Sequence, residues 1–216
     1  MTLHVKRVRP LLALSFVVAL PVAAIAGPPL VCFPADIGSA ASLPWGPGTG
    51  WNTPSPSYDR TRVVDDALAL LTPTTPVVVR METLRRATIY ASTDATRAAR
   101  LIEALRARTS APDALAMFDY GYAIEVMRQA QHSTRIALPV PADSGVVLVE
   151  RALASRRGDG AMHYAVALMH VGTRAAGAAT AHLDAAVAAA SHDAQLARTI
   201  DAHAELWGRR PVTGAR

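Results

Sequence analysis

The stretch PVVVRMETLRRATIYASTDATRAARLIEAL, residues 76–105, decides the fold class. Its apolar and small side chains recur every three or four residues, which is the period of an α-helix with one packed face. Each half of the stretch carries one such stripe, formed by Val77, Met81, Leu84, Thr88 and Ala91 and then by Ala98, Leu101, Ile102 and Leu105. Because only a few residues join the halves, they predict two helices in a tight hairpin.

The polar residues of this hairpin also support a prediction. Glu82 and Arg86 are four residues apart on the first helix, and we expect them to form an exposed ion pair. Ser92 or Thr93 is expected to cap the second helix, because a hydroxyl oxygen accepts from a free N–H of the first turn. Acidic and basic residues alternate along this helix and the later ones, a pattern typical of solvated faces.

Helical periods continue on both sides of the hairpin. A short helix precedes it, and a longer helix is predicted from Pro112 to about Gln131, with Glu125 as the one acid expected to be partly buried. Asp143 or Ser144 is expected to cap the helix that follows. Three more helices are predicted, at about residues 161–171, 175–190 and 192–207.

Together these elements predict an all-α fold of stacked helical hairpins, an α-solenoid or tetratricopeptide-like array, over residues 60–216. The RGD tripeptide at residues 157–159 lies between two predicted helices. Its glycine and aspartate are the residue types that end one helix and cap the next, so we interpret it as a turn and not as an adhesion motif.

One part of the array resembles a known repeat family. The pattern over residues 161–191 is carried by Ala161, Tyr164, Ala165, Leu168, Ala179, Leu183, Ala186 and Ser191. It resembles a degenerate tetratricopeptide repeat, with small residues where that family has Trp and Gly, and Ser191 where it has Pro. The resemblance implies stacked helix pairs and assigns no binding residue. An irregular opening segment followed by helices also resembles secreted bacterial proteins of unassigned function.

Residues 27–59 have a different composition. Between Gly27 and Tyr58 lie seven of the fifteen prolines and five of the thirteen glycines, which exclude a long helix or a central strand. The segment is nevertheless rich in apolar and aromatic residues, so we expect an irregular, extended strap packed across the helical body. The alternative is that Trp45, Trp51 and Tyr58 line a groove for a ligand or partner, because amphipathic aromatics are favoured at recognition surfaces.

Residues 1–26 read as an export signal. Lys6, Arg7 and Arg9 precede the apolar run at residues 11–25, and small residues follow it. The run of about 15 residues is short of the roughly 20 that span a bilayer, so cleavage near Gly27 is predicted in preference to a permanent transmembrane helix. We expect an exported protein, periplasmic or extracellular, with no membrane span after cleavage.

The charge of the chain argues against nucleic-acid binding. Lys and Arg total 22 and Asp and Glu total 17, a formal net charge of +5. Three of the basic residues belong to the predicted signal, which has no acid, so the exported chain carries roughly +2, far from the strongly basic balance of a nucleic-acid-binding protein.

The only cysteine, Cys32, allows several interpretations. An intramolecular disulfide is impossible, and no second cysteine or adjacent histidine forms a haem-attachment or zinc motif. The apolar neighbours Leu30, Val31 and Phe33 favour a buried, inert thiol. An intermolecular disulfide and a metal, haem or catalytic role remain as alternatives.

Histidines supply the other candidate ligands. His163 and His170 lie seven residues apart on one predicted helix, beside Met162 and Met169 at the same spacing. With Cys32 they form the candidate metal set. Helical rise separates the two histidines by about 10 Å, too far to share one ion without a bend, so packing and surface roles are favoured.

The sequence favours a scaffold over an enzyme. It contains no G-x-S-x-G elbow, no glycine-rich phosphate loop and no H-E-x-x-H pair, and it indicates no cofactor. We therefore expect an exported, non-enzymatic helical scaffold that presents a groove to a protein or peptide partner in the cell envelope. The alternatives are a metal, haem or small-ligand binding protein that uses Cys32 with a helical histidine, and an enzyme without a recognisable motif. The sequence leaves the oligomeric state open.

Overall fold

The computed structural model describes residues 27–48 and 50–208, and these form an all-α structure, as predicted. The α-helices are α1 (Pro29–Cys32), α2 (Val63–Leu70), α3 (Val77–Ala91), α4 (Ala95–Arg108), α5 (Ala114–Ala130), α6 (Gly145–Ser155), α7 (Gly160–His170), α8 (Ala176–Ala190) and α9 (Ala194–Ala202). Short 3-10 turns occupy Arg60–Arg62, Gln131–Ser133 and Ala204–Trp207. The described residues contain no strand, and their one β-bridge pairs Trp45 with Pro54. The predicted export signal lies outside the described residues.

Helix α3 lies at the centre of the bundle. It packs against α1, α2, α4, α5, α7 and α9, and all its residues except Arg86 are buried. This burial includes polar side chains, so α3 has no solvated face. Among the described helices, none combines the length and apolar character needed to cross a membrane.

Consecutive helices pair closely where glycines remove side chains. Gly121 of α5 faces Gly145 of α6, and a Cβ on Gly121 would lie 2.7 Å from the Gly145 carbonyl oxygen. Gly160 of α7 approaches Ala189 of α8 in the same way. The backbones of α5 and α6 are therefore in direct contact, and the α7 backbone at Gly160 contacts the Ala189 side chain of α8.

Two of the three predicted helix caps are confirmed. Ser144 caps α6, and Asp159 of the RGD turn caps α7 by accepting from the Met162 N–H at 3.1 Å. The predicted cap of α4 by Ser92 or Thr93 is wrong. Their hydroxyls instead bond the Ile89 and Tyr90 carbonyls at the end of α3. The cap is Asp94, whose carboxylate accepts from the Arg97 N–H at 2.8 Å.

Several charged residues are buried, contrary to prediction. Glu82 is 1% exposed, so the pair with Arg86 exists but is not solvated. Arg80, Arg85 and Asp119 are at most 1% exposed. Glu125 is therefore not the one acid that is buried. Glu82, Arg80 and Arg85 do not follow the solvated-face pattern because the strap and the neighbouring helices cover the side of α3 that the pattern assigned to water. Asp119 lies on α5 and pairs with Arg80 of α3.

The last predicted helix ends early. Helix α9 stops at Ala202, and His203 has φ −102° and ψ 15°, outside the helical region. The His203 ring turns into the core, and a 3-10 turn follows over Ala204–Trp207. A single helix to Trp207 is therefore wrong, because hydrogen bonds to the His203 ring from elsewhere in the chain compete with one more helical turn.

Candidate functional site

The residue 27–59 segment, here called the strap, lies across the central helices. Its first turn, α1, packs against α3, α5 and α7. The apolar anchors of the strap are Leu30, Val31, Ile37 and Leu43, each buried in the core. The side chains of these anchors enter the body, while polar groups of the body bind the intervening main chain.

The surface that receives the strap, here called the groove, recognises main-chain atoms. Its polar side chains come from α3, α5, α9 and the residue that ends α9: Glu82, Arg85, Arg86, Tyr90, Gln129, Gln195, Thr199 and His203. They bind the carbonyls of Val31, Pro34, Asp36, Ile37, Leu43, Pro44 and Trp51 and the N–H groups of Leu30, Ala35 and Ser55. Main-chain hydrogen bonds with apolar anchors between them are how extended peptides are commonly bound.

An ionic cluster on α3 forms the floor of the groove. Arg85 binds both carboxylate oxygens of Glu82 at 2.8 Å, and Arg86 binds one of them at 2.7 Å. The Arg85 guanidinium also donates to the Val31 carbonyl at 3.1 Å and to the Trp51 carbonyl at 2.8 Å. The remaining hydrogen-bonding capacity of the buried cluster is thus satisfied by the strap, which offsets the cost of burying its charges.

The predicted aromatic residues serve the strap's own attachment. The Trp45 ring lies 5.0 Å from the Arg85 guanidinium and packs edge-on against Tyr90. Tyr58 lies 4.7 Å from Tyr90, ring to ring, and donates to Asp66 at 2.9 Å. Trp51 is half-buried, with its carbonyl bound by Arg85. The structure brings the three together around α3 as part of the bound segment.

A hydrogen-bonded chain joins the strap to the C-terminal turns. His203 Nε2 donates to the Pro34 carbonyl at 3.0 Å, so the neutral ring presents Nδ1 as an acceptor to the Tyr164 hydroxyl at 2.8 Å. Burial lowers the pKa of His203, although the Pro34 hydrogen bond acts in the opposite direction. Burial also raises the pKa of Tyr164. Both groups are therefore neutral at pH 7.

Cys32 lies at the end of α1 and is half-buried. Burial raises the pKa of its thiol, more than the positive charge of Arg85 lowers it. Its sulfur would be 2.6 Å from a Cβ placed on Gly27, so the strap folds closely over it. The thiol is thus un-ionised at neutral pH, the form that is a poor nucleophile and metal ligand.

The helical histidines have partners of their own. His163 Nδ1 lies 2.9 Å from His182 Nδ1 on α8, and His170 lies 3.7 Å from the Glu150 carboxylate on α6. Burial and the neighbouring His163 lower the pKa of His182. Within residues 27–48 and 50–208, no three His, Cys, Asp or Glu side chains form a group that could hold a metal ion.

Comparisons with known proteins give no relative. No protein-family model, curated protein or solved structure matches this chain. The geometry of the groove is therefore the basis for any functional conclusion.

Sequence reasoning missed the residues of the groove. Glu82, Arg85 and Arg86 have ordinary helix-surface spacing, and nothing local distinguishes a solvated pair from one covered by a segment about 50 residues earlier in the chain. The available signal was composition: an apolar, proline-rich segment that cannot form a long helix or a central strand needs hydrogen-bonding partners from the helical body for its main chain.

Proposed function

We propose that this protein is an exported, non-enzymatic helical scaffold whose groove binds an extended segment of a protein or peptide in the cell envelope. In the structure, the strap of the same chain occupies the groove. The observation that carries the proposal is the recognition of strap main chain by Glu82, Arg85, Arg86 and Tyr90 of one helix.

Main-chain recognition allows the groove to accept another segment. Hydrogen bonds to carbonyl and N–H groups do not depend on which side chains the peptide carries, and specificity comes from the pockets of the apolar anchors. A partner with aliphatic residues at the spacing of Leu30, Val31, Ile37 and Leu43 would satisfy the same groups. In the structure these bonds to Glu82 and Arg85 are made by strap main chain, and a bound partner segment would replace them.

We propose that the helix pairs α3–α4, α5–α6 and α7–α8 stack in the manner of tetratricopeptide repeats. This is supported by the close packing within the pairs α5–α6 and α7–α8 and by the contacts of α3 with α5 and α7. Export is supported by the basic residues Lys6, Arg7 and Arg9 ahead of an apolar run.

The test is to release the strap and supply it in trans. The double variant Leu30→Asp/Leu43→Asp places charges where both anchors are buried, so the strap should leave the groove. A fluorescently labelled peptide of residues 28–46 should then bind the variant, measured by anisotropy. It should bind the unmodified protein at least about 10-fold more weakly, since the tethered strap competes for the same site.

Three controls make this result specific. Adding Arg85→Met to the released variant should abolish peptide binding, because the donor to the Val31 carbonyl is lost. The variant Val147→Asp, at an exposed position on α6, should not gain binding. A peptide with serine at the anchor positions should not bind. If the released variant keeps its helical circular dichroism but fails to bind the native peptide, the proposed function is wrong.

A further inference from the structure

A pocket of about 360 Å³ lies beside the groove, at the junction of the strap with the end of α3 and the loop after α5. It is lined by Asn52 and Pro54 of the strap, by Arg60, by Ile89, Tyr90, Ser92 and Thr93 around the end of α3, and by residues 133–136. The volume falls in the range of pockets that hold small organic molecules. None of the residues used for strap recognition except Tyr90 lines it.

The charged side chains that line the pocket are all positive. Arg60 and Arg135 line it, and no carboxylate does. Neither arginine forms an ion pair with any acid in the part of the chain that the structure describes. Asp59 is adjacent to Arg60 in the chain, but its carboxylate accepts from the Thr61 N–H at 2.9 Å and the Thr61 hydroxyl at 2.7 Å.

The position of each cation is supported by its surroundings. The Arg60 guanidinium lies 6.0 Å from the centre of the Tyr90 ring, within the range of a cation–π contact. Arg135 is in a loop that is tied to α3, since the Thr134 hydroxyl donates to the Ser92 carbonyl at 3.4 Å. The same loop is closed by Gln131, which donates to the Ile136 carbonyl at 3.0 Å. The two arginines therefore face one cavity from opposite chain segments.

The remaining walls are apolar or carry hydroxyls. Pro54, Ile89 and Ile136 contribute aliphatic surface, and Ser92, Thr93 and Ser133 contribute hydroxyl groups. The Tyr90 hydroxyl is already used by the strap, so this residue offers mainly the side of its ring. An occupant thus needs an anionic head for the guanidinium groups and an apolar body for the aliphatic walls.

We infer that this pocket binds a small organic anion, with a carboxylate or phosphate head group paired with Arg60 and Arg135 and an apolar body against Pro54, Ile89 and Ile136. Guanidinium groups bind both kinds of head group through paired hydrogen bonds. Tyr90 is the one strap-recognition residue that this site shares, and binding there does not require the groove to exchange its occupant.

The experiment is an NMR titration of the isotopically labelled protein with benzoate, phenyl phosphate, inorganic phosphate and benzyl alcohol. We expect benzoate or phenyl phosphate to shift the amide signals of Ile89, Ser92, Thr134 and Ile136, with a dissociation constant of about 1 mM or tighter. Whichever of the two binds more tightly identifies the head group. Neutral benzyl alcohol, which matches benzoate in shape, should bind at least about 10-fold more weakly.

Substitutions distinguish the pocket from general anion binding. Arg135→Gln, at an exposed loop position, and Arg60→Gln should each weaken binding by about 10-fold or more. Arg100→Gln, at an exposed position on α4, should leave it unchanged. The inference is overturned if benzyl alcohol binds as well as benzoate, if neither organic anion shifts these amides, if inorganic phosphate binds as tightly as both, or if Arg100→Gln weakens binding as much as Arg135→Gln.

Discussion

At the scale of single residues, the most consequential interaction is the ion pair of Arg80 and Asp119. Arg80 binds the Asp119 carboxylate at 2.6 Å and also donates to the Thr75 carbonyl at 3.0 Å. Asp119 has a second, more distant cation, Arg108, at 3.6 Å. Burial raises the pKa of Asp119 to about 6, although both arginines lower it. The carboxylate is therefore charged at pH 7 only because the two arginines stabilise it.

We predict that Asp119→Asn lowers the free energy of unfolding by about 3–5 kcal/mol, because it leaves the Arg80 charge buried without a counter-ion. Urea denaturation at pH 7 measures the change. Asp36→Asn breaks the exposed pair with Arg198 and should cost less than about 1 kcal/mol. A loss for Asp119→Asn as small as that of the control would mean that water reaches Arg80.

The double variant Arg80→Met/Asp119→Leu is a second test of whether the unpaired Arg80 charge is what destabilises Asp119→Asn. It removes both charges and keeps apolar volume, so it should be more stable than Asp119→Asn alone. If it is less stable, the Arg80 bond to the Thr75 carbonyl contributes more than the ion pair, since methionine cannot replace that donor.

At the scale of elements, the helix pairs depend on glycines at their crossings. A Cβ on Gly121 would lie 2.7 Å from the Gly145 carbonyl oxygen and 2.8 Å from Leu148 Cβ, both closer than normal contacts. We predict that Gly121→Ala destabilises the fold by about 1–3 kcal/mol, because α5 and α6 must separate. Thermal unfolding monitored by circular dichroism measures the change.

Gly177 provides the matched control, because it lies on α8 with no atom within 4 Å of an added Cβ. Gly177→Ala should leave stability unchanged or raise it by up to about 1 kcal/mol, since alanine favours a helix over glycine. Equal destabilisation by both substitutions would contradict the role of the crossing.

The strap is the second element whose attachment can be tested. The Tyr90 hydroxyl accepts from the Ser55 N–H at 2.8 Å and donates to the Pro44 carbonyl at 2.6 Å. We predict that Tyr90→Phe speeds hydrogen exchange at the Ser55 amide, measured by NMR, while exchange in α5 is unchanged. Tyr58→Phe removes only a bond to Asp66 and should not affect that amide. Unchanged exchange in Tyr90→Phe would place the strap's attachment elsewhere.

At the scale of the whole molecule, stability should depend on pH through two histidines. Burial lowers the pKa of His182 and of His203 below the ordinary value of 6.5. Between the lowered folded pKa and 6.5, the unfolded chain binds protons that the folded chain does not. Their contribution to stability is therefore complete above pH 6.5 and is lost as the pH falls toward the folded pKa of each ring.

We predict that the free energy of unfolding falls from pH 7.5 to pH 5.5 and that His203→Gln reduces this dependence. Urea denaturation across the range measures it. Asp119 acts in the opposite direction below about pH 6, because its raised pKa makes the folded state bind a proton first. Both proteins contain Asp119, so the difference between their pH dependences reports the contribution of His203. An identical pH dependence in both proteins would rule out His203 as a contributor.

The order of residues within each short segment is enough to predict the helices and several of their ends. The 3.6-residue period of apolar side chains and the caps at Ser144 and Asp159 depend on neighbours within one turn, and both are confirmed. The wrong cap predicted for α4 is also a local error. The Ser92 and Thr93 hydroxyls and the Asp94 carboxylate are all suitable caps, and the observed cap lies only one or two residues after the predicted ones.

Contacts between distant parts of the chain, in contrast, have no local signature. Glu82 and Arg85 are buried because the strap crosses α3, and His203 leaves the last helix because Pro34 and Tyr164 offer its ring hydrogen bonds. The helices follow from the order of residues within each segment. Which polar side chains lose contact with water follows only from how the segments pack, because burial is a property of the assembled fold and not of any one stretch.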